Sequence, residues 1–300
     1  MRVVEHATVS AFLARAEAWL LAAEVERALI LGLCADLKTQ GVAGGPPCLV
    51  TLEDGDAVVS ASMRTPPYNL VVSRAPTSAF GVLATWLGER DGTIPGVEGP
   101  TVDAGVFAEG WVAATGVAAR RGLSQRLYEC RAVVPDVPRV SGALRPARED
   151  DVRVLAEWML GFHRDTQPRP VAGRAGFPET DLGSRVRTMI GADRLFVWED
   201  ARAVAMAAVT GPTPHGCRLS YVYTPPALRR RGYATATVAA LTARLLGQGR
   251  RFCCLYTDLA NPTSNGIYQR IGYRPVCDWQ QHLFIGVTGG AGGRGTPARR

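Results

Sequence analysis

Arg218-Leu-Ser-Tyr-Val-Tyr-Thr224, then Pro225-Pro226, then Arg229-Arg-Arg-Gly232-Tyr-Ala234 form the stretch from which the rest of the chain can be read. The β-branched and aromatic residues of the first run predict a strand, and the two prolines end it. Beyond the basic turn, Val238, Leu241 and Leu245 fall on one face of a predicted helix that stops at Gly247-Gln-Gly249. A second strand follows at Phe252-Cys-Cys-Leu-Tyr256. Asn261-Pro262 then opens a short helix that closes at Gly272.

A strand, a basic glycine-bearing turn and a helix start together suit an anion. The first amides of a helix lack internal partners and sit at the positive end of its dipole. Gly232 lets backbone approach a phosphate, Ala234 extends the clearance, and Arg229, Arg230 and Arg231 add fixed charge. A solvated basic turn capping an ordinary helix would have the same composition.

The flanking pieces decide between these readings. The region resembles the GNAT superfamily of acyl-CoA-dependent N-acyltransferases, whose pyrophosphate signature is Gln/Arg-x-x-Gly-x-Gly/Ala. Arg229-x-x-Gly232-x-Ala234 stands in that position, with Pro226 in the preceding turn. Asn261, Tyr268 and Gly272-Tyr273 follow in the family's order and spacing. The resemblance spans about residues 143–285. It implies an α/β fold, a twisted mixed sheet flanked by helices, with two strands splayed around the pantetheine of acetyl-CoA. On this resemblance Val222, Tyr223 and Thr224 bond the pantetheine. Arg229, Arg230, Arg231, Gly232, Tyr233, Ala234 and Thr235 cradle the pyrophosphate, Asn261 touches the cofactor, and Tyr268 protonates the departing thiolate.

The residues allow plainer roles as well. Asn261 before Pro262 is a strong helix N-cap without any ligand, and Tyr223 fits as a core aromatic. Ile267 and Ile271 are expected to form the buried stripe of the short helix. Tyr268, roughly 100° round from Ile267, then lies at its edge, reaching a cleft or capped in the core. The first strand carries Ser220 and Tyr221 but no carboxylate, so no general base is assigned. Asp258 and His215 are the candidates, with His163 and His282 expected at the surface or a sheet edge.

The first half resembles the second. Leu52-Glu-Asp-Gly-Asp-Ala-Val-Val-Ser-Ala61 and Trp198-Glu-Asp-Ala-Arg-Ala-Val-Ala-Met-Ala207 share a hairpin pattern, and Gly110–Gly116 echoes Gly266–Gly272. Two unrelated α/β halves with similar hairpins would be the alternative. After Val71-Val72-Ser73, however, the first half continues Arg74-Ala-Pro-Thr-Ser-Ala79 without a phosphate turn, and Val112 stands in the place of Tyr268. The reading is therefore a degenerate GNAT-like unit over 1–138, a catalytic unit over 143–285, and a disordered tail over 286–300. Within the first unit, Ser10 is expected to cap a helix through Leu20, and a second helix to run over 25–37. Strands are expected over 48–52, 57–62, 69–73 and 127–134, with helices over 77–87 and 104–115. In the second unit a strand at Leu144 leads into a helix from Glu149 to about Phe162. A Pro/Gly-rich loop over 167–178, a helix over 181–190 and a hairpin over 195–209 precede the basic turn.

Composition narrows the partners. Apolar residues make up 47% of 300, enough for two cores. The net charge of +7 is carried almost wholly by arginine, Lys38 being the only lysine, and Arg294, Arg299 and Arg300 lie in the tail. An anionic ligand such as CoA fits this balance. No basic run interleaved with aromatics points to nucleic acid, and no segment is long and apolar enough for a membrane. The seven cysteines make neither a Cys-x-x-Cys pair nor a metal-spaced cluster, so the expectation is no metal and a reducing cytoplasm. The state expected is a monomer or homodimer.

The function expected is acetyl-CoA-dependent acetyl transfer to a primary amine, small molecule or peptide, by direct attack in a ternary complex. An acyl-CoA-binding regulatory module without turnover is the alternative of another class.

Overall fold

The computed structural model describes residues 1–40, 45–90, 93–166 and 182–285. The expected loop over 167–178 and the tail from 286 lie outside these. The first half comprises β1 (Arg2–Glu5), α1 (Val9–Leu21), α2 (Ala28–Gln40), β2 (Cys48–Asp54), β3 (Ala57–Arg64), β4 (Leu70–Val72), α3 (Thr77–Arg90), β5 (Gly96–Pro100), α4 (Thr101–Thr115) and β6 (Ala118–Cys130). The second repeats that order as β7 (Ala143–Pro146), α5 (Val152–Thr166), α6 (Leu182–Gly191), β8 (Leu195–Asp200), β9 (Arg202–Thr210), β10 (Gly216–Tyr223), α7 (Tyr233–Gly247), β11 (Phe252–Asp258), α8 (Pro262–Ile271) and β12 (Arg274–Ile285).

Among the described residues the strands form one sheet in the order β1-β2-β3-β4-β5-β12-β6-β11-β10-β9-β8-β7. Read from either edge, equivalent strands of the two halves meet in the same sequence. Among the described residues the only parallel neighbours are β4 with β5 and β10 with β11, again equivalent pairs. The duplication read from the hairpins is therefore a duplication of the whole topology. What the sequence did not reveal is the centre. β12 lies between β5 and β6, and β6 lies between β12 and β11, so each half adds its last strand to the other half's sheet.

Local sequence explains most elements and the departures from expectation. Thr8, not Ser10, caps α1, its hydroxyl accepting from Ala11 N at 3.1 Å. α2 starts at Ala28 and not at 25, because residues 22–27 turn while Arg27 donates to Trp19 O and stacks 3.2 Å from its ring centroid. Gly116 and Gly272, both left-handed, end α4 and α8 as the echo between the halves implies. β1 and β5 carry no strand pattern that could have been read in isolation. In β5, Gly96-Val-Glu-Gly-Pro100, the glycines mark close backbone contact and not a turn. A Cβ on Gly99 would lie 2.7 Å from Val72 O, and one on Gly96 2.3 Å from His282 O. β6 begins nine residues before its expected start, because its arginine-rich first part satisfies its ladder with β12; Arg126 also grips Asp278 at 2.6 and 3.0 Å.

Helices cover both faces of the sheet. α3 and α4 pack on one side of the first half around Phe80, Phe107 and Trp111, and α1 and α2 on the other around Phe12, Ile30 and Trp279. In the second half α7 and α8 pack over Cys217, Leu219 and Leu255, and α5 and α6 over Val197, Met206 and Tyr221.

Residues 143–285 produced alone would leave one edge of β11 unpaired and both neighbours of β12 missing. We expect that fragment to aggregate or lose its cooperative thermal transition, and co-expression with residues 1–142 to restore it. A monodisperse fragment melting like the full chain would make the strand exchange dispensable.

Candidate active site

The site is built where two parallel strands part. β10 and β11 pair only at Gly216↔Phe252, Cys217↔Cys253 and Arg218↔Cys254. Beyond Arg218 both continue, to Tyr223 and Asp258, without pairing. β10 there bulges: Ser220 faces Ala208 but Tyr223 faces Met206, one residue more on β10 than on β9. Tyr221 takes the left-handed conformation, φ 51°, to accommodate it. The extra residue reverses the strand's alternation. Cys217, Leu219 and Val222 join the α7–α8 core, whereas Tyr221 and Tyr223 face α5.

The basic turn lies at the same end as the gap. Gly232 is left-handed at φ 83° and caps α7 with no side-chain hydrogen bond, so the helix's first amides receive no side-chain cap. A Cβ there would also meet Val140 Cγ1 at 2.8 Å, because the segment between the halves packs over the turn. Arg230 and Arg231 are exposed. Arg229 is exposed as well, and is held by partners on the strand and on α5. Its Nε donates to Thr224 O at 2.9 Å, its guanidinium binds Asp165 of α5 and lies 5.6 Å from the Tyr223 ring centroid. Its charge is paired with a carboxylate that is itself half exposed to solvent. Tyr233 turns inward, donating to Asp200 at 2.7 Å, which raises its pKa. Thr235 is buried in α7, Ala234 half-buried beside it. The Thr224 hydroxyl is buried with no hydrogen-bond partner among the described residues.

Across the gap, Asn261 caps α8 through Ser264 N at 3.0 Å. The buried residues of that helix are Tyr268 and Ile271, with Ile267 only half-buried, so the stripe is rotated from the expected Ile267–Ile271 line. The cause is an aromatic seat. Tyr268 packs between Tyr128 and Tyr273 at centroid distances of 6.5 and 5.9 Å. Its hydroxyl makes no hydrogen bond among the described residues, and burial pushes its pKa up to about 12. It is protonated at neutral pH.

Two residues at the site escaped the sequence reading. Asn265 accepts from Tyr128 Oη at 3.0 Å and donates to Asp258 O and Asn261 O at 2.8 Å each. It ties the end of β11 and the start of α8 to β6 of the other half, a link no local pattern signals. His163 was expected at the surface or a sheet edge, but its ring meets Tyr221 edge-on at 5.7 Å. Burial, and then Arg185, hold its pKa below the usual value. Its spacing of four from the buried Met159 was the available clue. His215 sits at the opposite end of β10, bound to Glu24 at 2.8 Å. Asp258 accepts from Ala260 N at 2.8 Å and closes the turn before α8. His282 lies on β12 opposite Val97.

The equivalent gap in the first half is closed. β4 stops at Val72, Ala75 N donates to Asp103 at 3.0 Å, and Arg74 binds Glu26 at 2.8 Å. Val112 is exposed where Tyr268 is buried.

With this geometry in hand, known proteins supply the frame. A family model described as FR47-like protein matches residues 199–283. Among solved structures, a GCN5-related N-acetyltransferase from Sphaerobacter thermophilus aligns with a TM-score of 0.59 at 17% identity, covering 94% of this chain and 95% of its own. A tandem GNAT protein from the clavulanic acid biosynthesis pathway gives 0.56 at 13%, covering 95% and 98%. The chain is a tandem GNAT-fold protein. An acetyltransferase of the GNAT family from Colwellia psychrerythraea aligns as well, with a TM-score of 0.55 at 12% identity over 95% and 99%. No curated protein matches this chain in sequence. Among its described residues no helix is long and apolar enough to cross a membrane.

Gly232→Ala should cost about 1–2 kcal/mol from the left-handed backbone, beyond any contact with Val140. Thermal melts of Gly232→Ala, alone and with Val140→Ala, check this; the second change should recover only part of the loss. Equal melting of wild type and Gly232→Ala would mean the turn is not left-handed.

Proposed function

We propose that this chain transfers an acetyl group from acetyl-CoA to a primary amine by direct attack, with both substrates held at the gap between β10 and β11. The observation that carries this reading is the splayed strand pair, bulged at Tyr221 and continuous with the uncapped start of α7. The residues fit CoA. Strand ends that have left their ladder offer unpaired backbone groups to pantetheine amides over Val222 to Thr224, and the orphaned Thr224 hydroxyl has a polar atom to meet. The first amides of α7 with the exposed Arg230 and Arg231 suit a pyrophosphate. Arg229, bound to Asp165, holds the strand end to α5 and positions that cradle.

Acetyl-CoA supplies the activated acyl group. The chain's own groups do three things. Backbone amides at the bulge donate to the acyl oxygen as negative charge develops on it. His163, neutral near pH 7 and against the bulge, takes a proton from the incoming amine. As the C–N bond forms and the C–S bond breaks, Tyr268 gives its proton to the departing sulfur. The first unit, over 1–138, is not a second active site; it holds the second unit, over 143–285, in shape.

Tyr268→Phe should leave acetyl-CoA binding nearly unchanged and lower single-turnover thiol release by about 100- to 10,000-fold. Wild-type turnover in that variant would remove Tyr268 from the mechanism. Wild-type CoA binding without any amine-dependent thiol release would instead favour the regulatory module.

The lowered pKa of His163 sets the sign of a pH test. The base is active above its folded pKa and inactive below it, so wild-type kcat/KM should hold down to pH values beneath about 6.5 before falling. His163→Gln should lack that acid limb and be slow throughout. An unchanged limb in His163→Gln would assign it to another group.

A further inference from the structure

Residues 131–142 join β6 to β7, and they are fastened to the second half along their length. Val134 N donates to Ile271 O at 3.0 Å, at the end of α8. Val137 packs against the α7–α8 core. Val140 packs with Leu228, Tyr233 and Ala236, and its Cγ1 lies 2.8 Å from the place of a Cβ on Gly232. Ser141 O then accepts from Trp198 Nε1 at 2.7 Å, and Ser141 Oγ donates at 2.8 Å to Asp200, the carboxylate that Tyr233 also binds. The segment is thus a strap from the end of α8 to the start of α7. Between the half-buried Val137 and Val140, Pro138 and Arg139 are exposed. Proline holds this stretch to a fixed course without a ladder. Neighbouring Cα atoms are about 3.8 Å apart, so Arg139 springs from backbone lying beside the glycine turn.

The start of α7 thereby gathers three exposed arginines, Arg230 and Arg231 from the turn and Arg139 from the strap, around amides without a side-chain cap. At the strand end before them Thr224, 8% exposed, carries a hydroxyl with no hydrogen-bond partner among the described residues. The nearby carboxylates are engaged: Asp165 binds Arg229, and Asp200 accepts from Tyr233 and Ser141. Asp136, on the strap itself, is exposed. The helix amides and the two turn arginines suffice for a pyrophosphate. A further arginine suits a further phosphate, and CoA has one on its ribose 3′-oxygen, a monoester of about −1.5 to −2 charge near pH 7. We infer that Arg139 binds the ribose 3′-phosphate of CoA, so that the strap between the halves discriminates the full cofactor from its dephosphorylated form. This inference rests on the reading of the turn as the CoA site and adds a subsite to it.

The test is calorimetry of the full chain with CoA and with 3′-dephospho-CoA. It compares wild type, Arg139→Gln, Arg139→Lys and Arg120→Gln, the last an exposed arginine of β6. Wild type should bind CoA about 5- to 10-fold more tightly than the dephosphorylated form, the size of an exposed charge pair with a nearly divalent partner. That ratio should shrink as salt rises. Arg139→Gln should bring it close to 1 by weakening CoA alone, with the affinity for dephospho-CoA and the melting temperature unchanged. Arg139→Lys should keep part of the ratio, since it keeps the charge without the planar fork. Arg120→Gln should keep all of it, which separates a local contact from the general positive field. Equal wild-type affinity for the two ligands, an undiminished ratio in Arg139→Gln, equal weakening of both ligands, or the same fall in Arg120→Gln overturns the inference and leaves the CoA site standing. A wild type that binds neither ligand removes the acetyl-transfer reading, and this inference with it.

Discussion

A strand that splays from its neighbour gives up hydrogen bonds on one edge and must keep them on the other. β11 is in that position. Its ladder with β10 lasts three residues, while its ladder with β6 runs from Cys253↔Cys130 to Asp258↔Gln125, past the whole open part of the gap. β6 belongs to the first half, and it is held in turn by β12, from Arg274↔Glu129 to Ile285↔Ala118. The gap that defines the site therefore stands on a strand borrowed from the other half. This gives a first half with a closed gap of its own a structural part: its last strand is the wall of the candidate site, and Tyr128 from that strand seats Tyr268 and holds Asn265.

The two halves show how little sequence separates an open gap from a closed one. β4 and β10 occupy equivalent places and both pair in parallel with the next strand. β10 continues five residues past its last paired position, acquires a bulge, and ends in two prolines before the glycine turn. β4 ends one residue past its last paired position, and the chain enters α3 directly after Asp103 has bound Ala75 N. Burial raises the pKa of Asp103, so its hydrogen bond is formed at some cost in desolvation.

Local signals in the sequence carried far, and their limits are physical. Hairpins, helix ends at glycine and the turn at Gly232 are decided by residues within a few positions of one another, and all stand where the pattern placed them. β1 and β5 are decided by partners: short, weakly patterned segments become strands because an edge is offered to them. The exchange of β6 and β12 joins residues more than 120 positions apart and has no local signature. At the site, the family pattern gave positions but not directions. Arg229 fits the signature by spacing, yet Asp165, 64 residues earlier, sets where its charge goes. Tyr268 was placed beside a stripe of isoleucines and proves to be part of the buried face, because Tyr128 and Tyr273 offer a better seat than solvent.

The bulge at Tyr221 is the feature whose consequences reach furthest. In an unbroken strand Leu219, Tyr221 and Tyr223 would share one face. One extra residue puts Tyr221 and Tyr223 on the α5 side and leaves Leu219 and Val222 on the α7 side. A left-handed conformation is costly for a tyrosine, and it persists because the ring is enclosed by Phe162 and His163 and its hydroxyl is bound by Arg185. Gly161 belongs to the same arrangement, since a Cβ there would strike Tyr223 Oη at 2.4 Å. The helix that packs the bulge from above is thus shaped to accept both tyrosines. Strand irregularity, helix composition and the placement of His163 and Arg185 form one device, which sets Tyr221 and Tyr223 against α5 and leaves Leu219 and Val222 with the α7–α8 core.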